Sequence, residues 1–245
     1  MPKLDYGTIG GKGLSYSRRG TLHACPRKFQ LENIYNLGVG EDNVHFAFGH
    51  AVAAGVQSLI EHPGNINRAL LHCFTHWSLG IYENLDIKKK SLWYAVRAVQ
   101  QFHKDMLMGK SAILKQLEIA KFTDKEGNIK PAIELTFNIV CHDGYNYEGH
   151  VDLILYNPVT KTYLILELKT TGFSNINETM FKNSSQTIGY SVILDSIANT
   201  VQGRSSYNVL YLIYKAGKQE YEWMMFPKNR VARAHFINSL IIDIE

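Results

Sequence analysis

Residues 149–172 read GHVDLILYNPVTKTYLILELKTTG, and they predict the centre of the fold. Two runs rich in Val, Ile, Leu and Tyr flank a turn-forming segment, a pattern that predicts an antiparallel β-hairpin. With Pro158–Lys161 as the loop, Asp152 on the first strand lies directly opposite Glu167 on the second. Directly opposed residues have Cβ atoms about 4.5–5.5 Å apart. The hairpin therefore predicts two carboxylates side by side.

This carboxylate pair, together with Lys169, indicates a metal site. Opposed like charges destabilise a sheet, and buried carboxylates are costly unless something neutralises them. A divalent cation does so, and Mg²⁺ or Mn²⁺ suits carboxylate and carbonyl oxygens. Strand alternation places Lys169 on the same face as Glu167, where it can act on a bound phosphate or water. The alternative is an exposed Glu167–Lys169 pair with Asp152 as a polar residue near a turn, because Glu-x-Lys alone is a common spacing.

The rest of the chain predicts helices first and a sheet afterwards. Helices are expected over about residues 17–35, 44–60, 67–80, 91–108, 178–197 and 227–245, with Pro227 opening the last one, and strands over 132–141, 145–156, 162–169, 207–214 and 220–226. The first three strands form an antiparallel meander. This order predicts an α/β or α+β fold with a sheet at its centre.

The expected domain organisation is simple. A Gly-rich, flexible N-terminus covers residues 1–16, and a single domain covers 17–245. Within that domain we distinguish a helical portion (17–110), a sheet core (131–226) and a C-terminal helix (227–245).

Composition restricts the function classes only weakly. The chain has 245 residues, 45% hydrophobic and 20% charged, which is typical of a globular protein. Its net charge of +4 permits a polyanionic partner without demanding one. Basic clusters occur at Arg18-Arg19, Arg27-Lys28 and Lys88–Lys90, and clusters of this size are usually solvated faces.

Cysteine usage and the termini favour a cytoplasmic protein with no membrane segment. Cys25, Cys73 and Cys141 are odd in number and far apart, so neither a disulfide framework nor a CxxC site is indicated. The first residues have no apolar signal region, and no apolar run approaches the length of a membrane span.

Five short motifs occur in a set order along the chain. They are Cys25-Pro26-Arg27-Lys28-Phe29, Phe48-Gly49-His50-Ala51-Val52, Gly149-His150-Val151-Asp152, Glu167-Leu168-Lys169 and Gln186-Thr187-Ile188-Gly189-Tyr190. In this order they resemble the RecB-like branch of the PD-(D/E)XK nucleases. The resemblance implies a restriction-endonuclease-like core, in which a central mixed sheet is flanked by helices and preceded by a helical portion.

The resemblance also implies roles for individual residues. Asp152 and Glu167 match the metal-binding acids, with the backbone carbonyl of Leu168 as a further ligand, and Lys169 matches the catalytic lysine. His50 matches a histidine that binds the metal in this branch; its alternative is a helix histidine packed against the core.

Other residues match positions that surround the site in the family. Gln186 and Tyr190 share a helix face that contacts DNA or orients Lys169, or alternatively packs on the sheet. Glu134 matches an acidic position on the preceding strand. Arg27 and Lys28 hold phosphate, or alternatively form surface ion pairs.

The cysteine pattern departs from some relatives. Several relatives bind an iron–sulfur cluster through one N-terminal and three C-terminal cysteines, whereas this chain has no cysteine after Cys141. Four thiolates cannot be assembled, so no iron–sulfur cluster is expected. Cys25 is instead predicted to be a buried apolar residue.

The expected function is that of a Mg²⁺- or Mn²⁺-dependent DNA nuclease. The leading hypothesis is an exonuclease acting on DNA ends in recombination, repair or phage replication. The alternatives are an endonuclease of the same fold and a catalytically silent DNA-binding or assembly module. An intact set of Asp152, Glu167 and Lys169 argues against the silent module, which has no need of so costly a cluster.

Overall fold

A computed structural model describes residues 13–38, 43–77, 90–123, 127–140, 146–197 and 206–244. The strands are β1 (Leu14–Ser15), β2 (Glu118–Ile119), β3 (Lys121–Thr123), β4 (Ile129–Pro131), β5 (Ile133–Val140), β6 (Asn146–Asn157), β7 (Thr162–Thr171), β8 (Ser206–Lys215) and β9 (Glu220–Asn229). The helices are α1 (Tyr16–Ala24), α2 (Pro26–Phe29), α3 (Val44–Glu61), α4 (Ile66–Thr75), α5 (Leu92–Leu107), α6 (Glu178–Lys182), α7 (Ser185–Ile197) and α8 (Arg230–Ile244). A π-helical turn (Gln30–Ile34) follows α2, and a 3₁₀ turn (Ala112–Gln116) follows α5.

The centre of the molecule is a mixed sheet of seven strands. Its main order is β1-β6-β7-β8-β9, with β2 and β5 also paired to β6. Strands β5, β6 and β7 form the predicted antiparallel meander. Strand β8 runs parallel to β7, and the crossover between them contains α6 and α7. Strand β9 pairs with β8 at the edge, and β3 and β4 form a separate two-stranded sheet.

Helices cover both faces of this sheet, as the α/β interpretation predicted. On one face, α3, α4 and α5 pack against leucines such as Leu155 and Leu166. On the other face, α7 and α8 pack against alternate residues of the same strands, including Ile154 and Ile165. This alternation follows from the two-residue period of a strand, and it buries the middle of the sheet on both sides.

The predicted register of the β6–β7 hairpin is confirmed where the two strands pair. The pairs run from Asn157 with Thr162 to Leu153 with Leu166. Beyond Leu153 the two strands separate, and β1 takes the place of β7 beside the first half of β6. The strands therefore open at the position of the two acids.

The helix predicted over residues 178–197 is wrong in one respect, because it is two helices. Helix α6 ends at Lys182 and α7 begins at Ser185. The buried amine of Lys228 donates to the carbonyl oxygens of Phe181 (3.1 Å) and Lys182 (2.6 Å). These bonds satisfy carbonyls at the end of α6, so the chain can turn before α7.

The predicted start of the last helix is also wrong. Pro227 lies within β9, paired with Asn208, and α8 begins at Arg230. A proline is tolerated there because β9 is an edge strand. The side chain of Asn229 accepts a hydrogen bond from the backbone N–H of Ala232 (2.8 Å), which is the role of a helix N-cap.

The flexible N-terminus predicted over residues 1–16 falls largely outside the described residues. Its last part is ordered, however, since Leu14 and Ser15 form β1 beside β6 and α1 begins at Tyr16. The short strands β2, β3 and β4 were not predicted. Cys141, Lys88 and Lys89 lie outside the described residues. In the described parts of the chain, no helix combines the length and apolar character that crossing a membrane requires.

Candidate active site

The two acids lie where β6 and β7 separate. The carboxylate of Asp152 accepts a hydrogen bond from the backbone N–H of Leu168, with Oδ2 2.7 Å from the nitrogen. A side chain thus replaces the strand-to-strand bond that the open hairpin lacks. Glu167 follows Leu166, the last residue of β7 that pairs with β6, and is 0% exposed. Nζ of Lys169 lies 2.6 Å from Oε1 of Glu167.

Burial and mutual repulsion disturb the protonation of these groups. Burial, and then the nearby charge of Glu167, raise the pKa of Asp152 well above its ordinary value. Burial also raises the pKa of Glu167, although the charge of Lys169 partly opposes this. For Lys169, burial lowers the pKa, but attraction to Glu167 and then Asp152 outweighs it and leaves the pKa raised. The lysine therefore stays charged beside two acids that resist ionisation.

The carboxylate of Glu167 fits a metal ligand. Apart from the amine of Lys169, which lies 2.6 Å from Oε1, neither of its oxygens has a hydrogen-bond partner among the described residues. A single ammonium group leaves most of the acceptor capacity of a buried carboxylate unused, which is costly unless a further cation satisfies it. Asp152 and the backbone carbonyl of Leu168 are the neighbouring oxygen donors on the same open strand ends, and oxygen donors suit Mg²⁺ and Mn²⁺.

The predicted third ligand, His50, does not form a complete metal site with Asp152 and Glu167. No group of three or more His, Cys, Asp or Glu side chains in the described parts of the chain is arranged to hold a metal ion. His50 is nevertheless exposed on α3 and lines the same cleft as Asp152, Glu167 and Lys169. Its alternative role, a histidine packed against the core, is therefore wrong.

The cleft has a volume of about 1190 Å³. Helix α3 forms one wall, the open strand ends of β6 and β7 carry the acids, and α7 contributes Gln186 and Tyr190. A cleft of this size has room for a nucleotide segment above the acids.

Gln186 and Tyr190 connect to Lys169 through hydrogen bonds. Nζ of Lys169 donates to Oε1 of Gln186 (2.9 Å), and Nε2 of Gln186 donates to the hydroxyl of Tyr190 (2.7 Å). Tyr190 is 5% exposed and also belongs to the core between the sheet and α7. This helix face therefore packs on the sheet and also places Gln186 beside Lys169, while its predicted contact with DNA stays a prediction.

Glu134 lies near the acid pair, and its partner Gln57 was not predicted. The charge of Glu134 raises the pKa of both acids, although burial is the largest cause in each case. Glu134 has a left-handed backbone (φ 49°), which is uncommon for a residue other than glycine and is found at functional sites.

The amide of Gln57 holds Glu134 in place. Its Nε2 donates to Oε1 of Glu134 at 2.6 Å and lies 3.5 Å from the carbonyl oxygen of Asp152. Gln57 is 6% exposed and lies on α3, seven residues after His50. Seven residues are two helical turns, so this spacing is the one sequence signal that could have linked Gln57 to the site.

The N-terminal basic residues do not join the cleft. Arg27 donates to Gln30, and Lys28 forms an exposed ion pair with Glu32 at 3.6 Å. These contacts match the surface alternative rather than phosphate binding. Cys25 was predicted to be buried, and this is wrong: it is exposed, and its sulfur accepts a hydrogen bond from the backbone N–H of Lys28 (3.4 Å) at the start of α2. A thiol in this capping position has to lie at the helix end, outside the core.

Comparison with known proteins identifies the class. The profile of the PD-(D/E)XK nuclease superfamily matches residues 13–239, nearly the whole chain. The chain therefore belongs to the PD-(D/E)XK nuclease superfamily, and its mixed α/β architecture is consistent with a restriction-endonuclease-like fold. Membership implies a nuclease, that is, a hydrolase of phosphodiester bonds.

Two further comparisons are less informative. The solved structure of SSO0001 is similar at 12% sequence identity, with a TM-score of 0.32, over 94% of this chain and 84% of that one. A score this low supports no inference about the site. No curated protein sequence matches the chain significantly.

Proposed function

We propose that this protein is a divalent-metal-dependent deoxyribonuclease that acts on DNA ends. The observation that carries the proposal is Glu167, a fully buried carboxylate beside Asp152 whose one close partner among the described residues is the amine of Lys169, 2.6 Å from Oε1. One ammonium group does not balance two buried, mutually repelling acids, so the site favours a further cation, and membership in a superfamily of nucleases supplies the chemical context.

Asp152, Glu167 and the carbonyl oxygen of Leu168 are the residues that would hold Mg²⁺ or Mn²⁺. When bound, such an ion polarises a phosphodiester and lowers the pKa of a water molecule. The backbone N–H of Leu168 fixes the Asp152 carboxylate in place, with 2.7 Å between nitrogen and Oδ2. His50 lines the same cleft from α3, and we assign it as a further ligand of the ion.

Lys169 stays positively charged and faces the acids, so it can orient the attacking water and stabilise negative charge that develops on the phosphate. Gln186 holds the amine in this direction, since its amide oxygen accepts from Nζ at 2.9 Å. Tyr190 in turn holds Gln186. Glu134 adds negative charge next to the acids and thereby strengthens the preference of the site for a cation.

The preference for ends is inferred from the RecB-like order of the five motifs. An enzyme that digests from ends accepts any sequence, so we expect its DNA contacts to go mainly to phosphates rather than base edges. Recombination, repair or phage replication is the matching biological setting. An endonuclease of the same fold is the competing outcome.

The test uses linear and covalently closed circular DNA, labelled at either end where ends exist, with Mg²⁺ or Mn²⁺. We expect stepwise loss of label from linear DNA, no attack on circles, and no activity with EDTA. The Glu167→Gln variant should be inactive. The control Glu222→Gln, which changes a carboxylate paired with Lys215 outside the cleft, should cleave normally.

Cleavage of closed circular DNA would show that the protein is an endonuclease rather than an exonuclease. Binding of DNA without any cleavage, under all metal conditions, would support the silent module and refute the proposal.

A further inference from the structure

One face of helix α3 runs from the acids to the mouth of the cleft. Gln57, at the inner end, contacts Glu134 and the carbonyl of Asp152. His50 lies two turns before it, and Phe46 lies one further turn away on the same face. With a rise of 1.5 Å per residue, Phe46 is about 6 Å beyond His50 along the helix axis.

Phe46 is an apolar residue that is exposed to solvent. Its side chain is 68% exposed although it lines the cleft, and its neighbours Ala47 and Phe48 are buried in the core. A second aromatic ring in the cleft lining, Tyr16, is 41% exposed. An exposed phenyl ring contributes little to folding, so packing does not explain a phenylalanine at this position.

The charges in the cleft do not attract DNA strongly. Among the described lining residues, the lysines are Lys90 and Lys169, whereas the carboxylates are Glu134, Glu148, Asp152 and Glu167. Lys169 is already engaged with Glu167, at 2.6 Å. Even with a divalent ion on the two acids, the positive charge in the cleft is modest, so an aromatic face can add to the attraction of phosphates, because every base has a face that can stack.

We propose that Phe46 is a stacking platform for an unpaired nucleobase, which makes the site selective for single-stranded DNA ends. This inference rests on the proposed nuclease function. If the scissile phosphate lies at Asp152 and Glu167, a ring one helical turn beyond His50 meets the base of a nearby nucleotide. Inside a duplex both faces of a base are covered by its neighbours, and even a terminal pair exposes only one, so Phe46 can stack between bases only in a strand that is unpaired.

The experiment measures binding and stacking without cleavage. The full chain is titrated, with Ca²⁺ in place of Mg²⁺, into a fluorescent oligonucleotide and into the duplex of the same sequence. A 2-aminopurine near the end reports stacking by its loss of fluorescence. The variants are Phe46→Leu, which removes the ring but keeps an apolar side chain, Phe46→Trp, which retains an aromatic face, and the control Trp93→Leu. Trp93 is 70% exposed but lies outside the cleft lining.

We expect the wild type to prefer the single strand and to quench 2-aminopurine. Phe46→Leu should weaken single-strand binding about ten-fold and abolish the quenching, with duplex affinity changed less than two-fold. Phe46→Trp and Trp93→Leu should behave like the wild type. Because the ring is exposed, none of these changes should unfold the protein.

Other outcomes separate the two proposals. If the wild type cleaves DNA but Phe46→Leu retains single-strand affinity and quenching, the stacking role is wrong and the nuclease function stands. The same holds if Phe46→Leu weakens single-strand and duplex binding equally. If the wild type neither binds nor cleaves any DNA, both proposals fail.

Discussion

The β6–β7 hairpin has two halves that differ sharply although they belong to the same pair of strands. In the closed half, from Leu153–Leu166 to Asn157–Thr162, the backbones pair in regular register and apolar side chains pack against helices on both faces. In the open half, the strands separate and present Asp152, Glu167 and Lys169 to a cleft.

The difference shows how one hairpin serves both stability and chemistry. The closed half gains free energy of folding from buried apolar surface and complete hydrogen bonding. The open half destabilises the fold in part, because it buries two acids with raised pKa values next to each other. Substitutions in the closed half should therefore lower the unfolding free energy but spare cleavage, whereas substitutions in the open half should lower cleavage but spare stability.

The largest contrast is expected between Glu167→Gln and Ile165→Ala, two residues apart on β7. Glu167→Gln should lower the cleavage rate by on the order of 10³, because it removes a charged metal ligand, without lowering stability. Ile165 is 0% exposed, so its truncation to Ala should cost about 3 kcal/mol of unfolding free energy. Below its melting temperature, the Ile165→Ala protein should still cleave.

Cleavage assays and urea denaturation of both variants check this contrast. Loss of stability in Glu167→Gln comparable to that in Ile165→Ala would mean that the acid supports the fold rather than the chemistry.

The next effect concerns Gln57, which supports the open half from α3. Gln57→Leu keeps the side-chain size but removes the amide that donates to Glu134 at 2.6 Å. We expect about a ten-fold loss of cleavage, with more Mn²⁺ needed for half-maximal rate, because Glu134 supplies charge beside the metal-binding acids and outer hydrogen bonds of such sites tune metal affinity. The matched control is Gln101→Leu, which removes an equivalent amide bond to Asp105 on α5. An unchanged metal requirement in Gln57→Leu would exclude this supporting role.

A smaller effect is expected from the pH dependence of stability. The pKa of Asp152 is raised by burial first and then by Glu167. Between the ordinary aspartate pKa and this raised value, the unfolded chain loses its proton before the folded chain does. The stability of the metal-free protein therefore falls as pH rises through that window.

Asp152→Asn removes this titration. At neutral pH it should be more stable than the metal-free wild type by about 1 kcal/mol, the order expected when one of two opposed like charges is neutralised. The advantage should disappear at acidic pH. Thermal melts in EDTA across the pH range measure it, and a variant that is less stable than the wild type at neutral pH would mean that the acids do not repel each other.

The smallest effect is expected from Tyr190→Phe. The hydroxyl holds Gln186 at 2.7 Å, but Gln186 keeps its bond to Lys169 without it. A lost neutral hydrogen bond at this remove should slow cleavage roughly three-fold. Single-turnover cleavage rates measure this effect. A loss of rate as large as that of Lys169→Ala would mean that Tyr190 contacts the reacting groups directly.

The hairpin could be predicted from the sequence because its determinants are local. Strand alternation has a period of two, and a short loop of turn-forming residues fixes the register, so the positions of Asp152 and Glu167 followed from the spacing alone. The register between Leu153 and Asn157 is as predicted. The expectation that His50 belongs to the site rested on the order of the motifs rather than on the geometry of the hairpin.

Features that depend on distant contacts could not be predicted in this way. Helix α6 ends early because Lys228, on the last strand, reaches its carbonyl oxygens. The left-handed backbone of Glu134 accompanies a bond from Gln57 on α3. Pro227 was assigned to a helix because the sequence does not reveal which strand lies at the sheet edge, where proline is tolerated.

The central claim, that the open half of the hairpin is a divalent-metal site, is tested most directly by titrating Mn²⁺ into the metal-free protein and following the paramagnetic resonance signal of free Mn²⁺. We predict saturable binding by the wild type and by Glu222→Gln, tighter at higher pH because the acids must lose their protons, and loss of that binding in Glu167→Gln. Equal Mn²⁺ binding by Glu167→Gln and the wild type would contradict the claim.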